Sequence, residues 1–292
     1  MNRDGKCLGA MYTTLIETAE LAAAMAKPGY AILDCRFELS KPDWGERAYA
    51  SGHIPHALYA HLDRDLAGPV TPASGRHPLP AGDAWAETLG RWGIGAQVQV
   101  VAYDQGSGAY AARLWWLMRW AGHTQVAVLD GGYAAWLAAG LPVSAAPATR
   151  AARAFTPRGS NLRTLTTAEL VPAMRGHQIL LVDARGADRF AGDNESIDPI
   201  AGHIPGAVNQ PFAGNLGQDG RFLPAPELQR HWRALLGTRA ASEVVSMCGS
   251  GVTACHNLLA LEIAGLAGAR LYPGSWSEWI RDPTRPVARG PA

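Results

Sequence analysis

The sequence predicts an α/β protein of two tandem domains, each a mainly parallel sheet flanked by helices. Three observations predict it. The first is an internal duplication: Ala31-Ile-Leu-Asp-Cys-Arg36 is echoed by Leu180-Leu-Val-Asp-Ala-Arg185, and Ser51-Gly-His-Ile-Pro-His-Ala57 by Ala201-Gly-His-Ile-Pro-Gly-Ala207. The spacing is also shared, with 19 residues from Asp34 to His53 and 20 from Asp183 to His203. The second is the alternation of short apolar β-branched runs with helical patterns, the order expected of parallel sheets joined by crossover helices. The third is length: 292 residues accommodate two copies of about 130, which suits two domains better than a solenoid of many short repeats.

The elements follow in chain order. Residues 1–12 are polar and glycine-containing without an apolar signal core, and read as a disordered lead, or as an over-long start with Met11 as the true one. The N-terminal domain spans 13–141. Its strand ending at Asp34 leads to the first Gly-His-Ile-Pro phrase. A second apolar strand, Val98 to Asp104, enters Gln105-Gly-Ser-Gly108 and then a helix from Ala111 to Ala121. Asp130-Gly-Gly-Tyr-Ala-Ala-Trp136 closes the copy. Residues 142–160, rich in Ala, Pro, Ser and Arg, read as a linker.

The C-terminal domain, 161–285, repeats the plan. A strand ending at Asp183 leads to the second Gly-His-Ile-Pro phrase, and the run at Val244 and Val245 leads into Cys248-Gly-Ser-Gly-Val-Thr253. A helix from Ala254 to Ile263 follows, and Pro273-Gly-Ser-Trp-Ser-Glu-Trp279 mirrors residues 130–136.

Bulk properties exclude several function classes. A formal charge of +1 gives no footprint for nucleic acid or an anionic membrane surface. No apolar run approaches the roughly 18 residues of a membrane helix; Arg113, Arg119 and Glu262 interrupt the best candidates. Four scattered cysteines (Cys7, Cys35, Cys248, Cys255), with no CxxC pair, argue against a disulfide framework and against zinc, so no metal is expected. A reducing cytoplasm is the expected compartment.

Cys248 is the candidate nucleophile. A thiol at a strand-to-helix junction faces the positive end of the helix and a concave row of backbone N–H groups, both of which favour the reactive thiolate. Its counterpart in the first copy is Asp104 by strand alignment, or Gln105 by the Gly-Ser-Gly alignment. Neither is a thiol, so the N-terminal copy is expected to be catalytically silent and to contribute only across the domain interface. Cys35 and Cys255 read as packing residues. His53, His203, Asp34, Asp183, Arg36 and Arg185 recur in both copies and read as framework. Trp276 and Trp279 read as packing at the core edge.

On these motifs the chain resembles the tandem-domain rhodanese family from about Thr13 to Asp282, and its Cys-Gly-Ser-Gly-Val-Thr loop is similar to the mercaptopyruvate sulfurtransferase branch. The thiosulfate branch usually carries basic residues directly after the cysteine, where this chain has Gly249 and Ser250. The resemblance implies a ping-pong reaction in which Cys248 takes sulfur from 3-mercaptopyruvate, holds it as a persulfide and passes it to cyanide, a small thiol or a reduced thioredoxin-type protein, with no cofactor. It implies substrate contacts from Arg189, Gly249, Gly251, Val252 and Thr253. It also implies a Ser250-His77-Asp65 relay across the domains, with Asp63 as the competing alignment for the acid. The family's second substrate arginine, several residues before the Gly-His-Ile-Pro phrase, is replaced here by Asp193-Asn-Glu-Ser-Ile-Asp-Pro199. Thiosulfate is the alternative donor, and a non-catalytic binding module the alternative class. A cysteine phosphatase would need arginine six positions after the cysteine, where Ala254 stands.

Overall fold

The computed structural model describes residues 11–291, so most of the expected lead, and Cys7 with it, lies outside the described residues. Two parallel sheets mark the two copies. The first contains β1 (Leu15–Ile16), β2 (Tyr30–Asp34), β3 (Ala57–Tyr59), β4 (Gln99–Tyr103) and β5 (Val126–Leu129), in the order β1-β5-β4-β2-β3. The second contains β6 (Leu180–Asp183), β7 (Val208–Asn209), β8 (Val244–Met247) and β9 (Arg270–Leu271), in the order β7-β6-β8-β9. Thr164 pairs in parallel with Leu271, so it stands at the edge that β1 occupies in the first sheet. The duplication therefore extends from motif to topology. The central strands β4 and β8 are buried along their whole length, as expected of parallel strands covered on both faces.

The helices after the two loops hold the halves together. Ala111–Trp120 is buried at every position from Ala111 to Met118, and Ala254–Ile263 at every position from Ala254 to Leu261. A helix apolar all round must be covered all round. Each lies on its own sheet and against the other helix, so the largest apolar cluster is continuous from Val100 and Trp116 to Val244 and Leu259. Outer helices bury one stripe only, as Leu228, Trp232 and Leu236 do in Ala225–Leu236. His256 links the halves directly. Its Nε2–H donates to the Ser107 carbonyl at 2.9 Å, and its ring stacks on Phe222. Burial pulls its pKa down to about 4, which keeps the imidazole neutral.

The repeated polar residues are framework. Arg36 pairs with Asp34 at 2.6 Å and donates to the Gly52 carbonyl; Arg185 does the same with Asp183, at 2.7 Å, and Gly202. His53 stacks on Tyr49 and His203 on Phe190. Trp276 and Trp279 are buried in the second core. The segment after the first domain is laid down rather than free: Ser144 bridges His53, the Arg153 N–H donates to the Gly90 carbonyl, and the Arg158 N–H to that of Ala121. Among the described residues no helix is long and apolar enough to cross a membrane.

Candidate active site

Cys248 follows β8 at the carboxyl end of the sheet, where parallel α/β sheets place their sites. The loop is held from behind by the Pro-Gly-Ser-Trp segment. The Cys248 N–H donates to Ser275 Oγ at 3.1 Å, the Trp276 N–H to the Cys248 carbonyl at 3.0 Å, and the Ser277 N–H to the Gly249 carbonyl at 2.9 Å. Gly251 has φ +78°, and a Cβ there would lie 2.5 Å from the Pro273 carbonyl oxygen, so only glycine fits. This close turn aims amides inward. The N–H groups of Gly251 and Ser250 point at Cys248 Sγ, at 3.1 and 3.4 Å. Such amides meet negative charge on sulfur. Gly249, Val252 and Thr253 line the same narrow cleft.

The other two described cysteines differ. Cys35 and Cys255 are fully buried, and desolvation raises both thiols, Cys255 to about 12. Neither faces the cleft.

The equivalent loop of the first domain is filled by its own side chain. Asp104 follows β4 as Cys248 follows β8. Its carboxylate accepts the N–H groups of Gly106 and Gly108 on one oxygen, and of Tyr110 and Ala111 on the other, at 2.8 to 3.3 Å. The strand alignment, not the Gly-Ser-Gly alignment with Gln105, is therefore the structural one. The anion hole is retained and plugged.

The first domain reaches the cleft through residues 74–80. His77 is buried, and its Nδ1 lies 2.7 Å from Ser250 Oγ. Its Nε2 lies 3.1 Å from Asp63 Oδ1. The carboxylate fixes the tautomer: Nε2–H donates to Asp63, and Nδ1 accepts the Ser250 hydroxyl. Burial pulls the His77 pKa below its ordinary 6.5, against the raising effect of Asp63, so the ring is neutral at pH 7. The hydrogen bond from His77 holds Asp63 below the usual carboxylate range.

The assignment of Asp65 to this relay is corrected here. Asp63 and Asp65 share the short helix Leu62–Asp65, and two positions apart on a helix they face different ways. Asp65 accepts the His61 N–H at 2.9 Å and lies 3.5 Å from Arg91.

Arg189 reaches the cleft but is not open. Glu195 takes its Nε and Nη2 bidentately at 2.9 to 3.1 Å, and Asp198 takes Nη2 at 3.0 Å. The expected substrate residue Arg189 thus lines the cleft with its Nε and Nη2 edge occupied by acids of the 193–199 segment. A second guanidinium, Arg76, lies over Gly249 and was not singled out by sequence reasoning.

A third arginine, Arg113, is wholly buried between the domains. It donates to the carbonyls of Leu66, His77, Pro78 and Gly251, at 3.1 to 3.3 Å. It thus ties the histidine loop to the cysteine loop. Its one sequence signal is being the charge within the stretch Ala111 to Met118, apolar at every other position.

Among the described residues no group of three or more His, Cys, Asp or Glu is placed to hold a metal. A wider recess beside His123 and Arg158 lies at the amino ends of β4 and β5 and carries no nucleophile.

Comparison with known proteins agrees with this geometry. The model of the rhodanese-like domain matches twice, over residues 17–139 and 166–282. The chain is 48% identical over 278 residues to the "Probable 3-mercaptopyruvate sulfurtransferase" of Pseudomonas aeruginosa, covering 94% of this chain and 98% of that one. It is 31% identical over 281 residues to the thiosulfate sulfurtransferase of Bos taurus, covering 92% and 93%. Among solved structures, the 3-mercaptopyruvate sulfurtransferase from Leishmania major superposes with a TM-score of 0.78 at 31% identity, over 91% of this chain and 74% of that one.

Proposed function

This chain belongs to the rhodanese family as a tandem pair of rhodanese-like domains and is a sulfurtransferase, and from that premise we propose that it takes sulfur from 3-mercaptopyruvate on Cys248. The observation that carries the reading is Cys248 Sγ beneath two amides, with the Ser250 hydroxyl beside it hydrogen-bonded to His77. The Cys248 thiolate attacks the substrate's thiol sulfur. The bond between that sulfur and C3 breaks, and its electron pair passes into the enolate of pyruvate. The thiol proton ends on that carbon, so pyruvate leaves and Cys248 keeps one additional sulfur as a persulfide. Ser250, His77 and Asp63 supply a path for the proton. In the second half-reaction a thiophile takes the outer sulfur: cyanide, a small thiol or a reduced thioredoxin-type protein. A reducing cytoplasm suits an enzyme whose resting form is a thiol.

In this reading the domains divide the work. Residues 161–285 carry the nucleophile and residues 13–141 the relay, with 142–160 joining them.

Charge balance supports mercaptopyruvate over thiosulfate. Arg76, Arg185 and Arg189 are matched by Asp183, Glu195 and Asp198 in one chain of contacts. A neutral cluster suits a monocarboxylate better than a dianion. The test is kcat/KM for each donor with cyanide as acceptor. A strong preference for mercaptopyruvate is expected; a preference for thiosulfate would contradict the reading.

The relay makes a second expectation. Asp63→Asn lowers donor kcat/KM by about 10–100-fold, because an amide no longer fixes the His77 tautomer. Asp65→Asn leaves turnover within about twofold and costs only about 1 kcal/mol through its contact with the His61 amide. Equal effects of the two variants in steady-state kinetics would remove Asp63 from the relay.

A further inference from the structure

We propose that the Arg113 guanidinium, supplied by the catalytically silent domain, is the buried counter-charge of the Cys248 sulfur, balancing first its thiolate and then its persulfide anion. This rests on Cys248 as the nucleophile and not on which donor it meets. Arg113 is 0% exposed, in a helix buried on all sides from Ala111 to Met118. A guanidinium keeps its charge when desolvated. Among the described residues it makes no ion pair; the four carbonyls around it solvate the charge and do not neutralise it. An unbalanced cation in the interior is costly, and an anion placed near it relieves the cost.

Gly251 joins that cation to the nucleophile. Its carbonyl accepts Arg113 Nη1 at 3.1 Å, and its N–H donates to Cys248 Sγ at 3.1 Å. One glycine thus separates the two, and negative charge on Cys248 favours the charged guanidinium. The other ionisable groups around the loop are neutral or already matched. Arg76 is paired with Asp198, and Arg189 with Glu195 and Asp198. His77 is neutral, and its partner Asp63 is 44% exposed on the far side of the ring. Burial pushes the Tyr110 phenol up to about 12, so it stays protonated. Beneath the loop the Cys255 thiol lies against the guanidinium and donates to the same Gly251 carbonyl at 3.3 Å, and it too stays protonated. Among the described residues the Cys248 sulfur is therefore the group that brings negative charge to this cation. In a dry interior that attraction is strong and salt does not screen it. Arg113 touches Gly251 and not the sulfur, so it is a positioning residue that acts through its charge.

Alkylation of Cys248 by neutral iodoacetamide, located by mass spectrometry, reads the thiolate without any donor. Arg113→Met is expected to lower the rate at neutral pH about tenfold, the low end of what an opposite charge does, because a glycine intervenes. At high pH, where the thiol is ionised regardless, the rate returns to wild type. Arg113→Lys keeps the charge without the fork, so it loses stability as methionine does but alkylates within about threefold of wild type at neutral pH. Because Arg113→Met gives up stability, a second pair leaves the guanidinium in place. Cys255→Asp sets a carboxylate against Arg113 in the first turn of Ala254–Ile263, a position that favours an acid, and Cys255→Asn is its neutral match. The aspartate variant is expected to react about tenfold more slowly than the asparagine variant at neutral pH, and equally at high pH. Methionine and lysine variants slowed alike, which is what a tether alone produces, or aspartate and asparagine variants reacting alike, would overturn the proposal. A wild type that takes no sulfur from mercaptopyruvate but shows this alkylation pattern fails the donor reading alone.

Discussion

Cys248→Ser abolishes sulfur transfer and leaves the fold in place. The loss expected is at least about 10⁴-fold in kcat, the scale seen when a covalent nucleophile is removed. A hydroxyl at this position is a poor nucleophile toward sulfur and cannot store a transferable sulfur atom. The fold does not depend on the thiol. The loop is held through backbone groups: Cys248 N–H to Ser275 Oγ, Trp276 N–H to the Cys248 carbonyl, and Ser277 N–H to the Gly249 carbonyl. Serine keeps all three, so unfolding free energy should change by no more than about 1–2 kcal/mol. Cyanide-coupled turnover and urea unfolding on the same preparation check both halves. Retained turnover would remove Cys248 from the mechanism, and a large loss of stability would make the kinetic result uninformative about chemistry.

Arg113→Met is expected to cost stability and activity together. The Arg113 side chain is 0% exposed, and among the described residues it makes no ion pair; four carbonyls take its donors instead. Methionine fills much of the volume but leaves the carbonyls of Leu66 and His77 dry, while Pro78 keeps the Gly68 N–H and Gly251 the Cys255 thiol. Each unsatisfied buried acceptor costs about 1–3 kcal/mol, so the two left bare put the total at about 3–5 kcal/mol. Lysine does not rescue, since its three donors on a compact ammonium do not span the carbonyls of Leu66, His77, Pro78 and Gly251. Activity falls because the histidine loop and the cysteine loop lose their common tether. A variant within about 1 kcal/mol of wild type in urea unfolding, with full turnover, would contradict this role.

The architecture was legible because it is written twice. Two copies of the Asp-x-Arg strand end, the Gly-His-Ile-Pro phrase and the strand-loop-helix order are local patterns, and the parallel sheets follow from them. Cys248 was legible for the same reason: a glycine-rich turn between a strand and a helix is contiguous in sequence. What lay beyond reach was set by side-chain direction and by packing between domains. Asp63 and Asp65 are both acids on one four-residue helix, and only the helix rotation decides which meets His77. The pairing of Arg76 and the closed edge of Arg189 depend on where Glu195 and Asp198 fold, far from Arg76 in the chain. Those acids were visible as a departure from the family pattern, but not as the groups that engage three arginines, Arg76, Arg185 and Arg189. The choice between Asp104 and Gln105 as the partner of Cys248 turned on a one-residue difference in loop length, which the four amides around the Asp104 carboxylate resolve.

The most direct test of the central claim is intact-protein and peptide mass spectrometry after mixing the reduced enzyme with 3-mercaptopyruvate in the absence of an acceptor, with pyruvate measured in parallel. The account predicts the gain of a single sulfur atom, located on Cys248, with one pyruvate released for each sulfur bound, and complete reversal on adding cyanide. No gain of sulfur from mercaptopyruvate, or sulfur carried on a residue other than Cys248, would contradict it.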